Sequence, residues 1–292
     1  MRDPTVITAH DHYVNRVLFT ADAKTLISAG MDNVVKLWSV PSWQPILTLE
    51  GHHKSVNALA LAPDEKTLAS GSTDKTVRLW AFPSGEPLLT LSRHKNTVTA
   101  VAISPDAKRL ASASYDATVR LWALDSGQEL AVAKGHKKNV AAVAFAPDGN
   151  TVLSAGLGGE ILLWSVPQAE AIGRLPGHDV ATGGLAFSPD GCYLASTGYD
   201  QLLRLWAWPD MRIVHSLEIT ARGTYPVSFA PDGQVIAVGA DHRVLLYSPD
   251  DGALLEHLPI EAKGVYSVAF SPDGKWLACG AADKKIRIWA LH

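Results

Sequence analysis

Asp74-Lys75-Thr76-Val77-Arg78-Leu79-Trp80 is followed 42 residues later by Asp116-Ala117-Thr118-Val119-Arg120-Leu121-Trp122, and preceded by the same interval by Asp32-Asn33-Val34-Val35-Lys36-Leu37-Trp38. The closing aromatic continues at Trp164, Trp206, Tyr247 and Trp289, at intervals of 42, 42, 41 and 42. Seven such units fill a chain of 292 residues. A repeat of this length implies stacked copies of one small supersecondary unit. The expectation is a single repeat domain over residues 1–292.

Within a unit the apolar runs are short. The second unit holds Val56–Leu61, Thr67–Ser70, Thr76–Trp80 and Pro87–Leu91, separated by Pro63-Asp64-Glu65, Asp74-Lys75 and Pro83-Ser84-Gly85. Runs of four to six residues rich in Val, Leu and Thr are too short for helices and suit strands. Pro-Asp-Gly at 147–149, 189–191, 231–233 and 272–274 is a turn signal. Proline presets φ, aspartate bonds nearby backbone, and glycine tolerates positive φ. Four short strands per unit, seven times over, predict an all-β, seven-bladed propeller of four-stranded antiparallel blades.

Two further series keep the same phase: His10, His52, His94, His136 and His178, and Ser28, Ser70, Ser112, Ser154 and Ser196. A third runs through Asp32, Asp74, Asp116, Asp200, Asp241 and Asp283. With these residues the chain resembles the WD-repeat (WD40) family over all seven units. The resemblance implies a hydrogen-bonded tetrad of His, Ser, Asp and Trp inside each blade. Complete sets are expected in four units: His10, Ser28, Asp32, Trp38; His52, Ser70, Asp74, Trp80; His94, Ser112, Asp116, Trp122; and His178, Ser196, Asp200, Trp206. Buried polar side chains must be satisfied, and a mutually paired set would tie the loops to the strands. The fourth unit has Gly158 in place of the aspartate. The sixth has Thr220 for the histidine and Tyr247 for the tryptophan, and the seventh has Glu261 and Cys279 for the histidine and serine. The aspartate that follows tryptophan in the family is absent throughout, but it lies outside the tetrad. Thr5-Val6-Ile7-Thr8 stands before His10 as Leu47-Thr48-Leu49-Glu50 stands before His52. It is therefore expected to complete the last blade, so that the N-terminal strand closes the ring.

Composition narrows the class. Charged residues are 19% of the chain and the formal net charge is −3, which argues against a nucleic-acid partner read through a basic surface. Two cysteines give no disulfide framework. Met1-Arg2-Asp3-Pro4 opens no apolar stretch of signal-peptide length, and no run of 18 apolar residues offers a membrane span. No membrane association and a cytoplasmic location are expected.

Catalytic and metal readings of the phased residues are weak. Their spacing puts each histidine in a different blade, and each phased aspartate is already committed to a turn. No nucleophile elbow, phosphate loop or zinc-protease helix occurs. Gly156-Leu157-Gly158-Gly159 lacks the strand-to-helix setting that phosphate binding needs. No enzyme activity, cofactor or metal is expected.

The informative positions lie on one rim. In the family, partners commonly bind the face formed by the His-bearing and Asp-bearing loops. The resemblance marks the positions flanking the fourth residue after each histidine, and the one before each aspartate. Five of the chain's seven tyrosines fall there: Tyr13, Tyr115, Tyr199, Tyr225 and Tyr266. Asn15, Met31 and Asn57 join them, and Lys54, Lys95, Lys137 and Lys138 lie in the His-bearing loops. Tyrosine supplies amphipathic contact area with few rotors. The expected function is a non-catalytic scaffold that docks a protein or peptide, preferentially an acidic one, on a Tyr- and Lys-bearing face, with the ring itself monomeric. A regulatory propeller acting with a separate effector and an enzyme with a channel site stay open as alternatives.

Overall fold

The computed structural model describes residues 3–219 and 226–291. Twenty-eight strands form seven four-stranded sheets among these residues, with no helix. Six of the sheets follow chain order and all seven are antiparallel, as in β2 (Val14–Phe19), β3 (Thr25–Gly30), β4 (Val35–Ser39) and β5 (Pro45–Leu49). The first strand of each blade lines the centre and the fourth faces outward. The outer strand Pro45–Leu49 is largely exposed, whereas β3 is buried along almost its whole length.

One sheet breaks chain order. β1 (Thr5–Thr8) pairs with β28 (Lys285–Ala290), which continues through β27 (Trp276–Ala281) to β26 (Val265–Phe270). The register runs from Thr5 opposite Ile288 to Thr8 opposite Lys285. The N-terminal strand therefore supplies the outer edge of the last blade and closes the ring.

The core lies between blades rather than within them. Val77, Leu79 and Leu91 of the second blade pack with Val98, Val101, Leu110 and Trp122 of the third. Val14, Val17 and Trp38 of the first pack with Ala278, Ile286 and Ile288 of the last, so apolar contact seals the same joint that the β1 ladder closes. Trp80, Trp122, Trp164, Trp206 and Trp289 are almost fully buried. Each such side chain contributes roughly 1.5–3 kcal/mol or more through the water it sheds.

The turn between the first two strands of each blade needs a residue with positive φ. Gly149, Gly191, Gly233 and Gly274 supply it in the last four blades, with φ near 70°. Ala23, Glu65 and Ala107 adopt it in the first three, at φ 53–56°, although a Cβ is disfavoured there.

The sixth blade forms despite its weak signal. Val227–Phe229, Ile236–Gly239, Arg243–Tyr247 and Leu254–Pro259 make its sheet. Thr220 lies outside the described residues.

Removing residues 1–9 takes away β1 and the buried Ala9, leaving the β28 edge and the first-to-last joint open. Such a chain is expected to melt about 5 °C lower or more, read by circular dichroism. An unchanged melting temperature would refute closure by this strand.

Candidate functional site

Each His-bearing loop and the following Asp-bearing turn meet on one face of the ring. What holds them is a chain of hydrogen bonds whose direction is fixed by chemistry. In the third blade Trp122 Nε1 donates to Ser112 Oγ at 2.8 Å, and Ser112 Oγ lies 2.8 Å from His94 Nε2. His94 Nδ1 lies 2.9 Å from Asp116 Oδ2. An indole N–H only donates and a carboxylate only accepts. Burial favours the neutral imidazole, whose Nδ1–H then faces the carboxylate, and the serine hydroxyl donates to Nε2. Asp116 also accepts from the Lys95 amide, the Thr118 amide and the Thr118 hydroxyl.

The same chain runs through Trp38, Ser28, His10 and Asp32, through Trp80, Ser70, His52 and Asp74, and through Trp206, Ser196, His178 and Asp200. All of these contacts lie between 2.8 and 2.9 Å. Burial raises the Asp116 carboxyl, but the bonds from Thr118, Lys95 and His94 outweigh it and hold it at about 2. Asp32, Asp74 and Asp200 are held low by the same contest. Burial keeps His94 and His178 below the ordinary imidazole value against the pull of their aspartates. The charge therefore sits on the carboxylate.

The departing units solve the same problem differently. In the fourth blade Trp164 and His136 both bond Ser154 Oγ at 2.7 Å, and with Gly158 present no aspartate completes the chain. In the sixth, Val238 faces Leu245 across the sheet where the fifth has Ser196 facing Arg204. Tyr247 there donates its hydroxyl to the Glu218 carbonyl at 3.2 Å. In the seventh, Arg287 takes the aspartate instead, with Nη1 and Nη2 at 3.1 and 2.6 Å from the two Asp283 oxygens. Sequence reading caught the missing partners but not this replacement; the Asp-to-Arg spacing of four was its available signal.

The rim residues separate into three groups. Tyr115, Tyr199 and Tyr266 line a central cavity of about 420 Å³ together with Asn15 and Asn57. Tyr13, Met31 and Lys54 line a neighbouring groove of about 610 Å³ that shares Asn15, Asn57 and Tyr266 with the cavity. Lys95, Lys137 and Lys138 are exposed and line neither. Tyr225 lies outside the described residues. Tyr13 and Tyr266 stack with ring centroids 5.7 Å apart, bridging first and last blades. Burial, then the proximity of Tyr115 and Tyr266, raises the Tyr199 hydroxyl above its ordinary value. Burial raises the Tyr266 hydroxyl too, so both of these phenols stay protonated.

Asn15 and Asn57 also have a structural task. Asn15 Nδ2 donates to Val56 O at 2.9 Å and Asn57 Nδ2 to Val98 O at 3.0 Å, each in the next blade. Thr99 Oγ1 does the same to Val140 O at 2.8 Å. Their amides staple successive blades around the channel mouth, a role invisible until the ring geometry is known. On the opposite rim Asp22, Asp106, Asp190 and Asp273 accept from a nearby Thr or Ser hydroxyl at 2.5–2.8 Å and so organise their own turns. Among the described residues no cluster of three potential metal ligands occurs.

A family profile described as WD domain, G-beta repeat matches residues 3–39, 43–81, 85–123, 127–165, 169–207 and 253–290. The chain belongs to the WD40 family. The unmatched stretch covers most of the sixth unit, whose polar chain is replaced by apolar residues. Among curated proteins, Coatomer subunit beta'-2 and Putative coatomer subunit beta'-3 of Oryza sativa subsp. japonica are each 44% identical over 50 residues. Coatomer subunit beta'-1 of the same organism is 42% identical over 50 residues. Each match covers 17% of this chain and 6% of the relative, little more than one repeat.

Ser112→Ala leaves the Trp122 indole N–H and one face of His94 without their partner in a closed interior. The expected loss is about 1–3 kcal/mol in urea unfolding. A loss below about 0.5 kcal/mol would contradict the role given to this hydroxyl.

Proposed function

We propose that this WD40 propeller is a non-catalytic scaffold that docks a protein or peptide on its tyrosine-bearing face. The observation that carries the reading is the gathering of Tyr115, Tyr199 and Tyr266 around one cavity mouth, from blades distant in sequence. Tyr115 and Tyr199 are about 40% exposed. Aromatic groups that are half open and half supported are what interface hot spots use. The ring presents them on loops already fixed by tetrads and staples, which lowers the ordering cost of binding. WD40 propellers typically serve as protein-interaction scaffolds, and this chain reads as acting in that way as a monomer.

The exposed Lys54, Lys95, Lys137 and Lys138 on the same face favour an acidic segment of the partner, through rate and selectivity more than through tight ion pairs. Catalysis finds no support in the free thiols. Cys279 is fully enclosed and pushed up to about 12 by burial. Burial keeps it protonated and inert. The four tetrad histidines are committed at both ring nitrogens. The second reading is a propeller that regulates a separate effector. The coatomer β′ relatives, far longer than the segment they share with this chain, give it some support.

The test is an affinity capture from source-cell lysate with the wild-type chain and a Tyr115→Ala, Tyr199→Ala, Tyr266→Ala variant of unchanged circular dichroism. A partner held by the wild type is expected to be lost from the variant, with affinity down roughly 30-fold or more. Its binding should also weaken as salt rises. A partner retained equally by both would move the site elsewhere, and capture of nothing would remove the scaffold reading.

A further inference from the structure

Superposing the seven inner strands by their ladder registers shows one outlier. Arg16 pairs with Ala29 immediately after the register shift in its strand. Ala58, Ala100, Ala142, Gly184 and Ser267 occupy the same step in their own blades. Pro226, whose carbonyl accepts from the Gly239 amide, stands there in the sixth. Six blades therefore place a small or uncharged residue at this level of the channel, and one places a guanidinium. The small residues leave the room that the long side chain occupies.

Arg16 lines the central cavity, and among the described residues it is the only charged one that does. Its side chain is exposed to the solvent of the channel. Neighbouring protein draws its pKa downward through desolvation. Among the described residues it makes no hydrogen bond and no ion pair. Elsewhere the chain pairs such groups: Arg287 with Asp283, Arg204 with Asp200, Arg120 with Glu129. An unpaired guanidinium that faces an open cavity has its N–H groups available to a ligand carboxylate. The other polar groups in the wall are the hydroxyls of Thr73, Thr97, Thr99 and the tyrosines, and the amides of Asn15 and Asn57. Among the described residues no lining carboxylate opposes an anion.

We propose that the channel is a carboxylate-binding site in which the Arg16 guanidinium receives one carboxylate, carried either by a small organic acid or by an acidic side chain of a docked peptide. A guanidinium presents two parallel N–H groups that match the two oxygens of a carboxylate. A single cation neutralises a single negative charge. A phosphate group carries about 1.5 to 2 negative charges near neutral pH and calls for a cluster of cations or a helix N-terminus. Among the described residues the lining offers neither. A cavity of about 420 Å³ lies within the range of small-ligand sites. The mouth, ringed by tyrosines, admits an apolar stem behind the charged head. The peptide arm rests on the docking reading above; the free-acid arm does not.

The test follows the Arg16 Nε–Hε resonance of the full-length ¹⁵N-labelled protein, assigned by its disappearance in R16Q. Two probes are titrated to millimolar concentration: benzoate, and the peptide N-acetyl-Gly-Gly-Glu-Gly-Gly-amide. Benzamide and the corresponding Gln peptide serve as uncharged controls. A saturable shift of Arg16 with either carboxylate is expected, at least about tenfold weaker with its amide counterpart. Benzoate binding alone identifies a small-acid site, and peptide binding alone identifies an acidic side chain of a partner. R16K is expected to retain part of the affinity and R16Q none, with both melting as the wild type does. No saturable shift with either probe, or equal shifts with the amides, overturns the site. A drop of several degrees in the melting temperature of both variants also overturns it, by making Arg16 structural. Benzoate binding without any captured protein keeps the channel site while removing the docking reading, so the two failures are distinguishable.

Discussion

The buried serine hydroxyl is the point on which four of the seven blades depend. Ser28, Ser70, Ser112 and Ser196 have no measurable exposure, and each joins an indole from the third strand to an imidazole from the preceding loop. A hydroxyl enclosed this way has no water to fall back on, so the geometry of its two neighbours is fixed with it. The imidazole then donates its Nδ1–H to the aspartate, and the aspartate anchors the loop amide and its own turn. A polar chain that begins in the core thus ends on the rim. Loops that elsewhere would be mobile are set by the same interactions that hold the blade together.

The blades lacking this chain show what else satisfies the fold. The seventh replaces a neutral imidazole with a two-pronged guanidinium pair between Arg287 and Asp283. The sixth abandons the polar chain for Val238 and Leu245, and its tyrosine hydroxyl turns to the Glu218 carbonyl. Both remain in the ring because the inter-blade apolar layers do not depend on the tetrads. Val265, Val268 and Trp289 of the seventh blade pack with Val244, Leu246 and Leu258 of the sixth. Apolar packing assembles the ring, and the polar chains decide how firmly each loop on the binding face is held.

Most of this was legible because repetition turns one weak pattern into seven aligned ones. The 42-residue phase placed the strands, and the equivalence of Thr5–Thr8 with Leu47–Glu50 foretold the strand that closes the ring. What escaped reading depends on neighbours about 41 residues apart that meet only after closure. Asn15 and Asn57 looked like binding residues, and the structure also engages both in bonds to the next blade. The Val238 and Leu245 pairing was hidden by the one-residue deletion that shifts the sixth unit out of phase. Arg16 was visible in principle, as the single charged residue in a column of small ones, but its lack of a partner is a statement about the channel. The tyrosines at the mouth belong to the middle case: their phase marked them, and the cavity shows which three share one space.

The most direct measurement is native-state hydrogen exchange resolved by blade. If the serine-centred chain fixes the loops and strands it joins, amides of the second and third blades exchange more slowly than those of the fourth, sixth and seventh, although all seven are four-stranded antiparallel sheets. Equal protection in every blade would contradict the account, because stability would then come from the inter-blade layers alone.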